Sequence, residues 1–149
     1  MVVRLLAVAL AAVLASGATS SMAMASVSRM LTLNEVGHLR LKTHRGFTLN
    51  EQGSASGTVS GAISVHLNVV SRNEITAEVN IYPAGGSLSG RAWASYEVNG
   101  GYASFKGTMS IVRGTGRYAD AHADGLRFAG AIKRVNDATT VEVSGKLLY

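Results

Sequence analysis

The chain has 149 residues, no cysteine, one proline and 17 glycines, with 14 Lys and Arg against 9 Asp and Glu for a formal charge of +5. This length suits one domain with a single core, and the missing cysteine excludes a disulfide framework and a lipid-modified N-terminal cysteine. The basic excess is scattered, which argues against nucleic acid as a partner and leaves anionic surfaces such as envelope polymers as its natural attraction.

The N-terminus reads as an export signal. Arg4 gives a positive start, Leu5 to Ala18 form an apolar run, and Ala23-Met24-Ala25 match the small-residue cleavage pattern. The run is shorter than the roughly 18–20 residues that cross a bilayer as a helix. An uncleaved anchor is the alternative. The expected organisation is a signal peptide over 1–25, an N-terminal segment over 26–35 and a β-barrel domain over 36–149. The mature protein would be secreted, extracellular or in the cell envelope, with no stable membrane span after cleavage.

From there the chain is written in period two, the spacing that sends alternate strand side chains to opposite faces. Two weaker strands are expected near 37–44 and 46–52. Val59, Gly61, Ile63, Val65, Leu67 and Val69 then share one face, followed by Ile75, Ala77, Val79 and Ile81. Leu88, Gly90, Ala92, Ala94, Tyr96 and Val98 alternate next, which sets Trp93 beside Arg91, Ser95 and Glu97 on the polar face. Asn99-Gly100 predicts a type I′ hairpin, with positive φ at both central residues. Ala103, Phe105, Gly107, Met109 and Ile111 continue the pattern, then Leu126, Phe128, Gly130 and Ile132, and finally Val141, Val143, Gly145, Leu147 and Tyr149. No sustained helical period occurs after the leader. Short turns between long strands predict an all-β fold, a single antiparallel, roughly eight-stranded β-barrel behind the signal peptide. A two-sheet sandwich is the runner-up. Gly61, Gly107, Gly130 and Gly145 fall on the apolar face, where an in-strand glycine marks strong curvature or close backbone approach.

The segment "GTGRYADAHADG" at 114–125 concentrates the chemistry-bearing residues. "GTGRYA" fits the pattern G-x-G-x-x-G/A of dinucleotide sites, but that loop needs a helix starting at the second glycine. Here a strand resumes after Gly125. Asp120, His122 and Asp124 sit at alternate positions and would project from one face, with neighbours about 6–7 Å apart. That spacing is wide for one ion, and a solvated strand edge with Ala119, Ala121 and Ala123 facing inward is the simpler reading. No metal and no cofactor are expected.

"SIVRGTGRYADAHADG" also resembles the "VGGTGKFRxARG" signature of the dirigent and allene oxide cyclase-like β-barrel superfamily, and uncharacterised secreted bacterial proteins with the same "GTGRYA". The matched positions are Gly114, Thr115, Gly116, Arg117 for the basic residue, Tyr118 for the aromatic and Ala121. Arg113 replaces the first glycine, and His122 stands where the family has arginine. The resemblance implies a turn leading into a late barrel strand. The superfamily's catalytic acids lie outside the matched motif and find no counterpart here. The glycines are therefore read as a sharp rim turn that Arg117 and Tyr118 lock.

Elsewhere, catalytic residues are not legible. There is no G-x-S-x-G elbow, His38, His44, His66 and His122 are dispersed, and nine scattered acids define no pair. Trp93 among charges marks an interface or binding patch, unless a bulge shifts the register and buries it. The ligand-binding candidates are Arg91, Trp93, Arg117, Tyr118 and His122. The functional expectation is a non-enzymatic secreted barrel that binds a small apolar ligand, or assembles as a homo-oligomer or with the envelope. The alternative, taken from the resemblance, is a dirigent- or cyclase-like barrel steering a reactive intermediate.

Overall fold

The computed structural model describes residues 27–149. The expected signal peptide lies outside these residues. Eight strands follow one another in chain order: β1 Met30–Arg45, β2 Thr48–Gly57, β3 Gly61–Val69, β4 Glu74–Pro83, β5 Gly86–Asn99, β6 Tyr102–Gly116, β7 Ala123–Lys133 and β8 Ala138–Leu148. Each pairs antiparallel with the next, and β8 returns to pair with β1, so the sheet is a closed barrel. Closure leaves no unpaired strand edge. β1 starts at Met30, which pairs with Leu148, so residues 30–35 belong to the barrel and not to a preceding segment.

The period-two residues turn inward as their spacing requires. Leu33, Leu88, Phe128 and Leu147 are completely buried, and Ile63, Val65, Val79, Ile81, Met109, Val141 and Val143 pack with them. Full burial of each large side chain is worth roughly 1.5–3 kcal/mol. Phe105 and Phe128 stack at 5.2 Å between ring centroids. The glycine at 130 makes room for that stack, since a Cβ there would stand 2.5 Å from Phe105 Cζ.

Three register shifts tighten the curvature: Lys42 is an extra residue of β1 against β2, Val112 an extra residue of β6 against β5, and Asp124-Gly125 of β7 oppose Ser110 alone on β6. A bulge of this kind bends its strand and increases the local twist. The β5–β6 bulge does not bury Trp93. Its side chain is 52% exposed on the outer wall, paired with Thr76 on β4 and Thr108 on β6. The β5–β6 hairpin also differs from expectation. Asn99 is the last paired residue, opposite Tyr102, and the loop is Gly100-Gly101 with positive φ only at Gly100. Positive φ at the first loop position alone is the type II′ pattern. The extra glycine moves the turn one residue along from Asn99-Gly100.

The barrel has two unlike ends. The upper rim carries the β1–β2, β3–β4, β5–β6 and β7–β8 turns, and the lower rim carries the remaining connections with both ends of the barrel sheet.

Candidate functional site

The lower rim is closed by its own side chains. Val59 from the β2–β3 connection and Tyr118 and Ala121 from the β6–β7 connection are each about 5% exposed. Tyr118 stacks obliquely on Tyr149 at 5.6 Å, and the Arg117 guanidinium lies 5.4 Å from the Tyr118 ring centre. The Arg117 amide donates to Gly85 O at 2.9 Å, tying this turn to the β4–β5 turn. The two glycines of "GTG" end β6, and the turn proper begins at Arg117. Gly116 has a φ of 61° and packs so closely that a Cβ would stand 2.0 Å from Gly85 O. Asp120, His122 and Asp124 are exposed, and His122 points Nδ1 at the Asp120 carbonyl, 3.0 Å away. Ala121 and Ala123 face inward, but Ala119 is exposed, because the chain turns there before the strand resumes.

The five residues expected to bind a ligand do not meet. Arg117, Tyr118 and His122 belong to the lower-rim turn, with Tyr118 consumed by packing. Arg91 and Trp93 stand on the outer wall of β5, where Arg91 lines a shallow groove with Glu78 and Arg113.

The barrel interior holds what the alternation did not reveal. Two carboxylates point into it, Glu35 from β1 at 2% exposure and Glu51 from β2 at 0%. Glu35 serves the lower rim: the Val59 amide donates to its Oε1 at 2.5 Å, anchoring the β2–β3 connection. Glu51 lies towards the upper rim, where the Thr139 hydroxyl donates to its Oε1 at 2.8 Å. The second oxygen of each carboxyl has no partner among the described residues. Burial raises both carboxyls above their ordinary range. Hydrogen bonds to the Val59 and Thr58 backbone partly oppose this at Glu35. At Glu51 the Thr139 bond opposes it, and the nearby Asp137 charge adds to the rise. A carboxyl held this way favours its neutral form, in which it can donate as well as accept a hydrogen bond.

Above Glu51 the barrel opens. Leu49, Leu67, Val69, Ile75, Tyr96, Ala103, Phe105 and Ile132 line an apolar cavity of about 90 Å³. Leu49 is the inward neighbour of Glu51 on β2, and Ile132 pairs with Thr139 across β7 and β8, so the Glu51–Thr139 pair lies one residue behind the cavity lining, which is itself wholly apolar. The signal for these carboxylates was present in the chain. Glu35 has the parity of Leu33 and Leu39, and Glu51 that of Leu49 and Ala55, but a carboxylate normally marks the solvent face.

On the outer wall near the same rim, His66 Nδ1 contacts Asn50 Oδ1, and Asn50 Nδ2 donates to Thr43 Oγ1 at 2.8 Å. This is a side-chain hydrogen-bond network along paired strands. Among the described residues no group of three or more acidic or imidazole side chains is arranged to hold a metal ion. Comparison with protein-family models, curated proteins and solved structures returns no match, so geometry alone carries the functional reading.

Proposed function

We propose that this protein is an exported, non-enzymatic barrel that takes up the end of a small apolar ligand through its upper rim. The observation that supports this reading is the upper cavity, an all-apolar recess at one end of a barrel whose other end is closed by its own residues. Its 90 Å³ is well under the roughly 150 Å³ of a protein cavity that takes up benzene. The recess therefore suits the terminal methylenes of an acyl or isoprenoid chain rather than a whole ring system.

The test is a titration with 1-decanol, following the methyl resonances of Leu49, Ile75 and Ile132. Saturable shifts confined to these residues are expected, and Ala103→Leu should fill the recess and abolish them. Shifts that never saturate, or that persist in Ala103→Leu, would remove the reading and favour self-assembly instead.

Glu51 supports a second reading, a barrel that steers a reactive intermediate in the manner the dirigent and allene oxide cyclase-like resemblance implies. A buried carboxyl whose pKa is raised, set just behind an apolar wall, would offer a single group able to give or take a proton. Recovery of the bound molecule separates the two. Under steering, wild-type protein returns it chemically changed while Glu51→Gln returns it intact.

A further inference from the structure

The described residues expose ten large hydrophobic side chains, and five of them, Phe47, Val70, Val98, Tyr102 and Val135, stand on or beside the turns of the upper rim. Each of its four turns contributes at least one. Phe47 and Val135 are 77% and 79% exposed, about as free as side chains in an unfolded segment. The lower rim tucks its turn residues Val59 and Tyr118 into the core, and its exposed apolar residues, Val27, Met30, Tyr82 and Val112, stand on strands or before β1 and not on its turns.

Basic residues accompany the apolar ones. Arg45 precedes Phe47 by two residues, Arg72 follows Val70 by two, and Lys133 and Arg134 lead directly into Val135. Lys42, the bulged residue of β1, and Lys106 on β6 stand behind them. Besides the buried Glu51, the acids at this end are Glu74, Glu97 and Asp137, three against those six. None of the six cations is in an ion pair, since the single pair among the described residues is Arg127–Glu142.

We propose that the upper rim is a docking surface for an anionic phospholipid bilayer, on which the barrel stands mouth downward. Apolar tips flanked by cations match the layered chemistry of a membrane surface, with tips at the acyl boundary and guanidinium or ammonium groups among phosphates. Tyr102, with an apolar ring and a polar hydroxyl, suits the same depth. A groove at the rim lined by Phe47, Val69, Val70, Ser71, Arg72 and Tyr96 neighbours the interior cavity, with which it shares Val69 and Tyr96. Docking would therefore place the recess next to lipid. A second copy of the chain is a poor occupant, because a two-fold contact through this end would bring two surfaces with the same basic excess face to face. Docking does not depend on ligand uptake and should survive Ala103→Leu.

Site-specific fluorescence tests this on the full chain. In a Trp93→Phe background, Phe47→Trp places the reporter on the upper rim and Tyr82→Trp places it on the outer wall towards the lower rim. With vesicles of phosphatidylcholine and phosphatidylglycerol, the rim reporter should shift to the blue and be quenched by brominated acyl chains, and the lower one should not. Adding Arg72→Glu and Arg134→Glu should weaken that quenching at least tenfold in lipid titration, as should raising the salt. Equal quenching at both positions, or none at position 47, would overturn the proposal. So would quenching that the charge reversals leave unchanged, or that an acidic polymer without lipid reproduces as a blue shift. Melting curves of the variants establish that each remains folded.

Discussion

Glu51 concentrates the energetic tension of this molecule in one side chain. Its carboxyl is fully buried, has one hydroxyl donor and leaves one oxygen unpartnered. Its folded-state pKa is raised above the ordinary 4.5, chiefly by burial. A raised carboxyl favours folding fully below its unfolded value, and the advantage is lost as pH rises through the folded value. Glu35 pulls in the same direction. The melting temperature should therefore fall as pH rises from about 4.5 towards neutrality, and Glu51→Gln should flatten that fall and melt higher than wild type at pH 8. An unchanged slope would mean that water solvates the carboxylate freely. Thr139→Val removes the donor and should cost about 1–3 kcal/mol in urea denaturation, more at pH 8 than at pH 4.

At the scale of one element, the β6–β7 turn and the β5–β6 hairpin make a controlled pair. Gly116 and Gly100 have nearly the same positive φ, 61° and 58°. A Cβ at Gly100 meets nothing within 4 Å, whereas one at Gly116 would stand 2.0 Å from the Gly85 carbonyl oxygen. Gly100→Ala should cost only the conformational term, about 1–2 kcal/mol. Gly116→Ala should cost clearly more, because it also forces the β4–β5 turn away from the Arg117 amide. Equal losses in chemical denaturation would show that the lower rim yields without resistance. The need for glycine at this turn was readable from "GTG". Which glycine carries the positive φ, and that Tyr118 is spent on Tyr149, depend on a strand that ends more than 25 residues later.

For the whole molecule, closure joins the first strand to the last, and one continuous core serves all eight. Unfolding should be a single cooperative transition by fluorescence and circular dichroism alike. Leu147, fully buried on β8 beside the β1–β8 seam, tests this. Leu147→Ala should lower stability by about 2–5 kcal/mol and move the whole transition together. A separate early transition would mean that the seam opens independently of the rest. Because the seam brings residues 30 and 148 together, its contacts form late, and folding should be slow relative to a helical domain of this size.

Alternation determined β3 to β8, most of their inward faces and the antiparallel order, because period two is local and each short turn leaves the next strand only one neighbour to pair with, whereas β1 and β2 were legible only as 37–44 and 46–52. Val59 to Val69 and Ile75 to Ile81 were legible for that reason. Tertiary structure alone decided three things. It decided that Trp93 keeps its outward register, since the bulge between β5 and β6 places its extra residue, Val112, on β6 and leaves the alternation of β5 unbroken. It buried Glu35 and Glu51, because the parity of a strand position outweighs the polarity of one side chain once its neighbours are committed to the core. And it gathered Arg45, Arg72, Lys133 and Arg134 with Phe47, Val70 and Val135 into one rim. In sequence these residues are isolated and unremarkable. They become a surface only because four hairpins turn at the same end of a closed barrel.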